Sequence, residues 1–388
     1  MQKRILVIDF CNYQDYPIGG YLSFARSLME SFGNDIALAG ITTSKEDPVG
    51  KWFKKEICGV DYDFFAYARF NKSKTRHLIP DRFVSFVLLS LFKKRILKIG
   101  INNIFLQRQE LLLAHPSSES YNICYCFAGL ENPLSISKYK YASYFSNWFE
   151  NEFFSKLKSV KTVLASGDDM AIKDMILRSR GALSGKQVFK FPTRININVF
   201  RPLNRDEVRI DLGLPLDATI LVTTGRLAPL KGWKFMIDCF MKLEKSISNC
   251  SLFFIGEGED FEKINEYILY NELKTKVVLI GKKSSGDVAA YLNAADLFIM
   301  GSFKEGWSTS LIEAIACGVP ACVTNFSSAK EIILEGVNGF VIEEHNEDSF
   351  VEGMKKSLKI PRPVKNDNVT VFDTNRMKSD LLKYWELV

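Results

Sequence analysis

Leu297-Phe298-Ile299-Met300-Gly301-Ser302-Phe303-Lys304-Glu305-Gly306-Trp307-Ser308-Thr309-Ser310-Leu311-Ile312-Glu313-Ala314 is a short apolar run, then a polar loop, then the start of an apolar-periodic helix. Four bulky apolar residues between polar neighbours read as a strand buried on both faces. Ser308, Thr309 and Ser310 are each good N-cap residues for the helix that follows. In open α/β sheets, ligands bind outside the carboxyl ends of strands, which is where this loop lies. Backbone N–H groups at the helix start are suited to a phosphate. Glu305 and Glu313 bracket that start, with seven residues between them. Carboxylates accept hydrogen bonds from vicinal hydroxyls, so sugar or ribose hydroxyls are natural partners. The same two acids also suit an exposed loop and a helix dipole. Spacing alone leaves both readings open.

A second loop supplies the opposite charge. Thr224-Gly225-Arg226-Leu227-Ala228-Pro229-Leu230-Lys231-Gly232-Trp233 follows a strand at 219–224. Arg226 and Lys231 place two cations at the same sheet edge, where they would neutralise a diphosphate leaving group. A basic loop alone is often only a solvated surface. With the first loop, the two specify both ends of a nucleotide diphosphate. Gly256-Glu257-Gly258 also follows a strand, but it lacks the third glycine of a dinucleotide fingerprint, which argues against NAD.

Outward from these loops, strand and helix patterns alternate along all 388 residues. Strands are expected at 5–10, 36–41, 103–107, 122–127 and 162–166, and again at 219–224, 251–256, 277–281, 297–300 and 321–324. Helices are expected at 21–32, 233–245, 261–271, 287–293 and 309–317. Such alternation implies parallel sheets flanked by helices. Prolines and polar residues near 191–202 mark a boundary. The expected division is 1–195 and 196–373, with a helix near 374–388 packing back on the first domain. Ser166-Gly167-Asp168-Asp169 reads as a helix N-cap with an acidic first turn. Arg194, in the boundary segment, either reaches a cleft between the domains or is solvated. The eight cysteines form no CxxC pair, so buried reduced thiols are expected. Three histidines leave little for a His-rich metal site.

Here the sequence resembles the family 4 retaining glycosyltransferases of GT-B fold. The matching pieces are Gly225-Arg226-Leu227 with Lys231-Gly232, Phe254-Ile255-Gly256-Glu257-Gly258 and Ala294-Ala295-Asp296-Leu297. They continue through Glu305 and Glu313 to Gly318-Val319-Pro320, and then to Gly336-Val337-Asn338-Gly339. The ordered set spans about 190–345. The N-terminal half resembles the family only through Pro17-Ile18-Gly19-Gly20. The resemblance implies an α/β chain of GT-B fold, two Rossmann-like parallel-sheet domains facing across a cleft, with the acceptor held by the first domain and the donor by the second. It implies a retaining hexosyltransferase that moves a sugar from a UDP- or GDP-sugar to a glycan or lipid-linked acceptor. The setting would be bacterial surface polysaccharide or lipopolysaccharide synthesis.

The resemblance also implies residue roles. Arg226 and Lys231 would grip the diphosphate and, with Glu305, form the catalytic set. Glu305 and the backbone of Gly306, Trp307 and Ser308 would hold the donor sugar. Thr309 and Ser310 would cap the phosphates through backbone, Glu313 would bind the ribose, and Gly281 and Lys282 would lie against the base. Gly225, Gly19 and Gly20 would let backbone approach the donor. Trp307-Ser308 stands where many members have Phe-Gly, which narrows the sugar pocket. Tyr125 and Phe127 stand where many have a histidine, so no catalytic histidine carries over. Front-face attack, in which the departing phosphate takes the acceptor proton, needs none. No metal-binding Asp-x-Asp lies at a strand end, so neither metal nor cofactor is expected, the nucleotide sugar being a substrate. The alternatives are a non-catalytic GT-B sugar-binding protein and a GT-B sugar-nucleotide epimerase.

Charge divides unevenly. Residues 1–200 carry 28 basic and 18 acidic side chains, and residues 201–388 carry 23 and 27. From Arg69 to Lys98 there are nine basic residues and one acid, Asp81, around an apolar run at 83–92. That run is either a core helix or an interfacial element on anionic lipid. It falls short of the roughly 18 apolar residues that span a bilayer. The first ten residues resemble a strand and not a secretory signal. The expected location is cytoplasmic, on or near the inner membrane face. No nucleic-acid module shows, so that partner is not expected.

Overall fold

Two sheets, one all-parallel and one parallel except at one edge, account for the alternation of strand and helix patterns. The computed structural model describes residues 5–17, 19–72, 79–115, 120–127, 132–135, 139–365 and 369–387. The chain forms two compact units. One comprises Met1–Pro192 with Thr374–Val388, and the other Thr193–Asp373. The first ends three residues before the expected 195, because Ile195 pairs with Asp373 and packs in the second unit's core.

In the first unit the elements run β1 (Ile5–Ile8), α1 (Gly20–Phe32), β2 (Ile36–Thr42), β3 (Trp52–Ile57) and β4 (Val60–Arg69). They continue through α2 (Asp81–Ile96), β5 (Asn103–Leu106), α3 (Gln109–Ala114), β6 (Asn122–Phe127), α4 (Ser146–Leu157), β7 (Thr162–Ala165), α5 (Asp169–Arg178) and β8 (Val188–Lys190). The strand order is β3-β4-β2-β1-β5-β6-β7-β8. β1, β2 and β7 are buried at every position because helices cover both faces. Asp168 caps α5 as its sequence suggests, accepting from the Ala171 N–H at 2.7 Å.

β3 and β4 were not legible as strands. They form an antiparallel hairpin at the sheet edge, with Ile57 opposite Val60. The two-residue turn is Cys58-Gly59, with φ of +53° and +79°. Positive φ at both positions is the type I′ hairpin turn, which matches the twist of its strands. Lys54, Lys55 and Glu56 on the outer strand discourage further pairing. Cys58 is the exposed cysteine, and the other seven are buried.

The second unit runs α6 (Arg205–Asp211), β9 (Thr219–Thr224), α7 (Trp233–Leu243), β10 (Cys250–Ile255), α8 (Phe261–Tyr270), β11 (Val277–Gly281) and α9 (Ser285–Ala294). It continues through β12 (Leu297–Met300), α10 (Thr309–Ala316), β13 (Ala321–Thr324), α11 (Ala329–Ile332), β14 (Gly339–Ile342) and α12 (Glu347–Ser357). Its all-parallel order is β11-β10-β9-β12-β13-β14. From β9 the chain builds outward one way through β10 and β11, then returns to β12 on the other side. The direction reverses between β9 and β12, and at that point the loops diverge and leave a crevice. Arg194 is buried and donates to the Val371 carbonyl, so it joins the ends of this unit instead of being solvated.

α13 (Thr374–Tyr384) packs on α1 of the first unit. Met377, Leu381 and Trp385 are buried in that unit's core, and the Tyr384 ring stacks on Phe189 at 4.6 Å. Lys378 pairs with Asp35 at 2.6 Å.

Candidate functional site

Three loops leave the carboxyl ends of β10, β9 and β12, and glycines let them touch. The Gly225 N–H donates to Ile255 O at 3.0 Å, and the Leu227 N–H donates to Glu257 O at 3.0 Å. A Cβ at Gly256 would meet the Gly225 carbonyl at 1.9 Å, and one at Gly258 would meet that of Leu227 at 2.1 Å. The Gly-x-Gly after β10 is therefore a packing device that carries the β9 loop. Gly232, at φ +66°, lies against Gly301, whose carbonyl oxygen would be 1.9 Å from a Cβ there. Phe303 N–H donates to Leu230 O at 2.9 Å. Thus the loop with Arg226 and Lys231 is seated on the loop with Glu305.

The side chains meet accordingly. The Lys231 ammonium pairs closely with Glu305 Oε1, and Ser302 Oγ donates to the same oxygen at 2.9 Å. Glu305 is largely enclosed, its side chain 12% exposed, while Lys231 is 34% exposed. Arg226 stands further out and pairs with Glu259 at 2.9 Å. An exposed pair of this kind holds by about 0.2–1 kcal/mol, so Arg226 is easily recruited by a more highly charged partner. A solvent-open pocket of about 320 Å³ is lined here by Thr224, Gly225, Arg226, Lys231 and Ser302, among others. The Thr224 hydroxyl is buried without a partner among the described residues.

α10 closes the crevice from the other side. Ser308 is its N-cap, accepting from the Leu311 N–H at 3.3 Å. Its own N–H donates to Ser328 Oγ at 3.2 Å, so it is already used. The N–H groups of Thr309 and Ser310 have no partner among the described residues. Ser310 Oγ lies 3.6 Å from the Cβ position of Gly225, so the two loops share one crevice. The N–H groups of Thr309 and Ser310 are therefore open to a ligand, while that of Ser308 is occupied by Ser328.

The indole of Trp307 is partly buried, 5.9 Å from the Phe372 ring and against the second unit's core. At Gly306 and Trp307 the loop thus presents mainly backbone. Glu313, one turn into α10, has no hydrogen-bond or ion-pair partner among the described residues, and desolvation pushes its carboxyl from 4.5 up to about 8. An acid so placed favours any ligand that donates hydrogen bonds to its carboxylate. Gly281, at φ +77°, ends β11, and its carbonyl accepts from the Gly256 N–H at 3.0 Å. Lys282 is exposed beside it. The order across this edge is therefore Gly281–Lys282, Gly256, Gly225, then Ser310.

Gly19 and Gly20 belong to the first unit, at the start of α1. Gly19 has φ +152°, and a Cβ at either would meet nothing within 4 Å. Three partners of the Glu305 loop were not legible in the sequence. Thr324 Oγ1 donates to Ser302 O at 2.7 Å, Ser328 holds Ser308, and His345 bonds Gly301. All three lie after the motif, on β13 or beyond, where only the fold brings them back.

Residues 204–369 match the family model described as glycosyl transferases group 1. The D-inositol 3-phosphate glycosyltransferase of Mycobacterium avium is 25% identical over 174 residues, 44% of this chain and 40% of that protein. The chain spans between 35% and 40% of the length of the first curated relatives it matches. Across the whole chain the fold is that of sucrose-phosphate synthase from Thermosynechococcus elongatus (TM-score 0.77, 15% identity, 99% of this chain and 98% of that one). Anabaena HepE in complex with UDP-glucose is similar at TM-score 0.71 and 14% identity, covering 99% and 100%.

Proposed function

We infer the reaction from a premise now in hand: the chain belongs to the glycosyl transferases group 1 and has the GT-B fold. The proposed activity is retaining transfer of a hexose from a UDP- or GDP-sugar to a glycan or lipid-linked acceptor, in surface polysaccharide or lipopolysaccharide synthesis. The observation that carries it is the Lys231–Glu305 pair at the sheet's reversal point, beside the unpartnered N–H groups of α10. In this reading Arg226, Lys231 and the N–H groups of Thr309 and Ser310 neutralise the diphosphate. Glu313 accepts from the ribose hydroxyls, and Glu305 accepts from the sugar once Lys231 turns to phosphate. The bond from the anomeric carbon to diphosphate oxygen breaks, the acceptor oxygen bonds the same face, and its proton passes to the departing phosphate. Neither metal nor cofactor is assigned a step. UDP-glucose in the HepE structure supports a UDP-sugar.

A thermal-shift screen of UDP-, GDP- and ADP-sugars tests the donor. A matching donor at about 100 times its Kd is expected to add roughly 2.7 kcal/mol, raising Tm by about 5–10 °C. A folded protein that responds to none and hydrolyses none would favour the sugar-binding reading over the enzyme.

The proposed second partner is an anionic membrane, with the first unit as acceptor-binding unit. No helix among the described residues is long and apolar enough to cross a membrane. α2 buries Ser85, Leu89 and Ile96 but leaves Phe83 57%, Val87 38% and Leu91 71% exposed. Positions 83, 87 and 91 share one helix face, and Lys93, Lys94 and Arg95 follow it. Trp148 and Tyr144, at the start of α4 and just before it, are exposed too. An apolar stripe ending in cations suits acyl chains below and phosphate headgroups above. Residues 73–78 of the basic segment lie outside the described residues. Flotation with anionic vesicles at low salt is expected to carry the protein up, and Leu91→Asp with Phe83→Asp to abolish this. Absence of wild-type flotation would remove the membrane from the proposal.

A further inference from the structure

The loop after β12 carries Glu305, yet its backbone is held by a residue more than forty positions later. His345 lies between β14 and α12. Its ring stacks almost flat on Phe303, with centroids 4.2 Å apart and planes 10° apart. The ring also packs against Phe235 of α7 at 4.8 Å. Its Nε2 is 3.0 Å from the Gly301 carbonyl oxygen. A carbonyl only accepts, so the ring donates from Nε2. That same carbonyl is what Gly232, next to Lys231, is seated against. Phe303 in turn donates its N–H to Leu230, on the other side of Lys231. The backbone contacts that flank Lys231, Gly232 against Gly301 and Leu230 with Phe303, therefore converge on Gly301 and Phe303, and His345 holds both.

We propose that His345 is a positioning residue for the Lys231–Glu305 pair, acting through the Gly301 carbonyl and the Phe303 ring. It touches neither the nucleotide nor the sugar. Residue 345 fixes one backbone oxygen and one aromatic face, and these set the distance at which ammonium and carboxylate meet. Thr324, bonding Ser302 O, anchors the neighbouring peptide but not Gly301, so it does not replace the histidine. The inference rests on the donor-site reading for its kinetic consequence, but not for its geometric one.

The geometric consequence is read without any substrate. Tm shifts of Lys231→Met, Glu305→Gln and their double variant are expected to be non-additive in the wild-type background, because the two groups interact. In a His345→Leu background, which fills the space without a donor, the shifts are expected to add. Coupling that persists in His345→Leu overturns the proposal, whatever the protein catalyses. The kinetic arm uses turnover of the donor found by the thermal screen. His345→Leu is expected to lower kcat about tenfold or more with KM for the donor changed less than threefold. His345→Gln, whose amide keeps a donor toward Gly301, should regain most of kcat. Unchanged kcat in an active protein refutes the positioning role. A wild type with no donor turnover refutes the donor-site reading and leaves the coupling measurement to decide the role of His345.

Discussion

Lys231→Ala is expected to lower donor turnover by about 10²–10³-fold, with a small change in KM. The leaving diphosphate gains charge as the glycosidic bond breaks, so a fixed cation there acts mainly on the transition state, and removing one such group typically costs that much. Stability should change little. The pair it forms with Glu305 is one-third exposed on the lysine side, and Ser302 Oγ still donates to the remaining carboxylate. Circular dichroism melting beside steady-state kinetics separates the two effects. Near-normal turnover with a normal melt would refute the leaving-group role. Lys231→Arg sharpens the result: it keeps the charge but replaces a point cation with a planar fork, so partial turnover is expected.

Glu313→Gln is expected to weaken nucleotide binding by about 10–100-fold, the range for losing hydrogen bonds to a charged acceptor. The pH dependence is the more diagnostic part. Desolvation raises the folded carboxyl from 4.5 to about 8. Between those values the folded chain keeps a proton that the unfolded chain has lost. Stability from this group is therefore full at low pH, falls as pH rises through that window, and is level above about 8. Glu313→Gln should flatten that fall. Hydroxyls donating to the carboxylate favour its ionised form, so donor binding releases a proton below about pH 8. Wild-type affinity should accordingly rise from pH 6 to 8 and then level. Calorimetry in buffers of different ionisation enthalpy measures the release. An equal pH slope in Glu313→Gln would place the titrating group elsewhere.

The second unit was largely legible because its signals are local. Each strand is a short apolar run ending in glycine or a polar residue, and the charged residues follow at fixed offsets. The two loops were identified separately, and adjacency of β9 and β12 brought them together. The meaning of Gly256 and Gly258 was not legible, since what excludes a side chain there is a carbonyl some thirty residues earlier. The β3–β4 hairpin escaped for a different reason. Its turn is Cys58-Gly59 where Asn-Gly is the usual signal, and lysines break the alternation of β3. In the 83–92 run the periodicity does not separate a buried face from an exposed one, and the helix has both: Ser85 and Leu89 are buried while Phe83, Val87 and Leu91 are exposed. His345 had no local signal at all: its partners lie on two distant segments, Phe235 on α7 and Gly301 and Phe303 on the loop after β12.

The return of α13 to the first unit has a consequence during synthesis. The core of that unit needs Met377, Leu381 and Trp385, yet the whole second unit is translated before them. At ordinary elongation rates of about 5–20 residues per second, those roughly 180 intervening residues take on the order of 10–40 s. Throughout that interval the first unit is on the nascent chain with the seat of α13 unfilled, beside α1 and Phe189. The second unit has no such wait, since its core closes with residues already made. Co-translational maturation therefore runs in reverse of chain order between the two units: the second is finished before the first is completed.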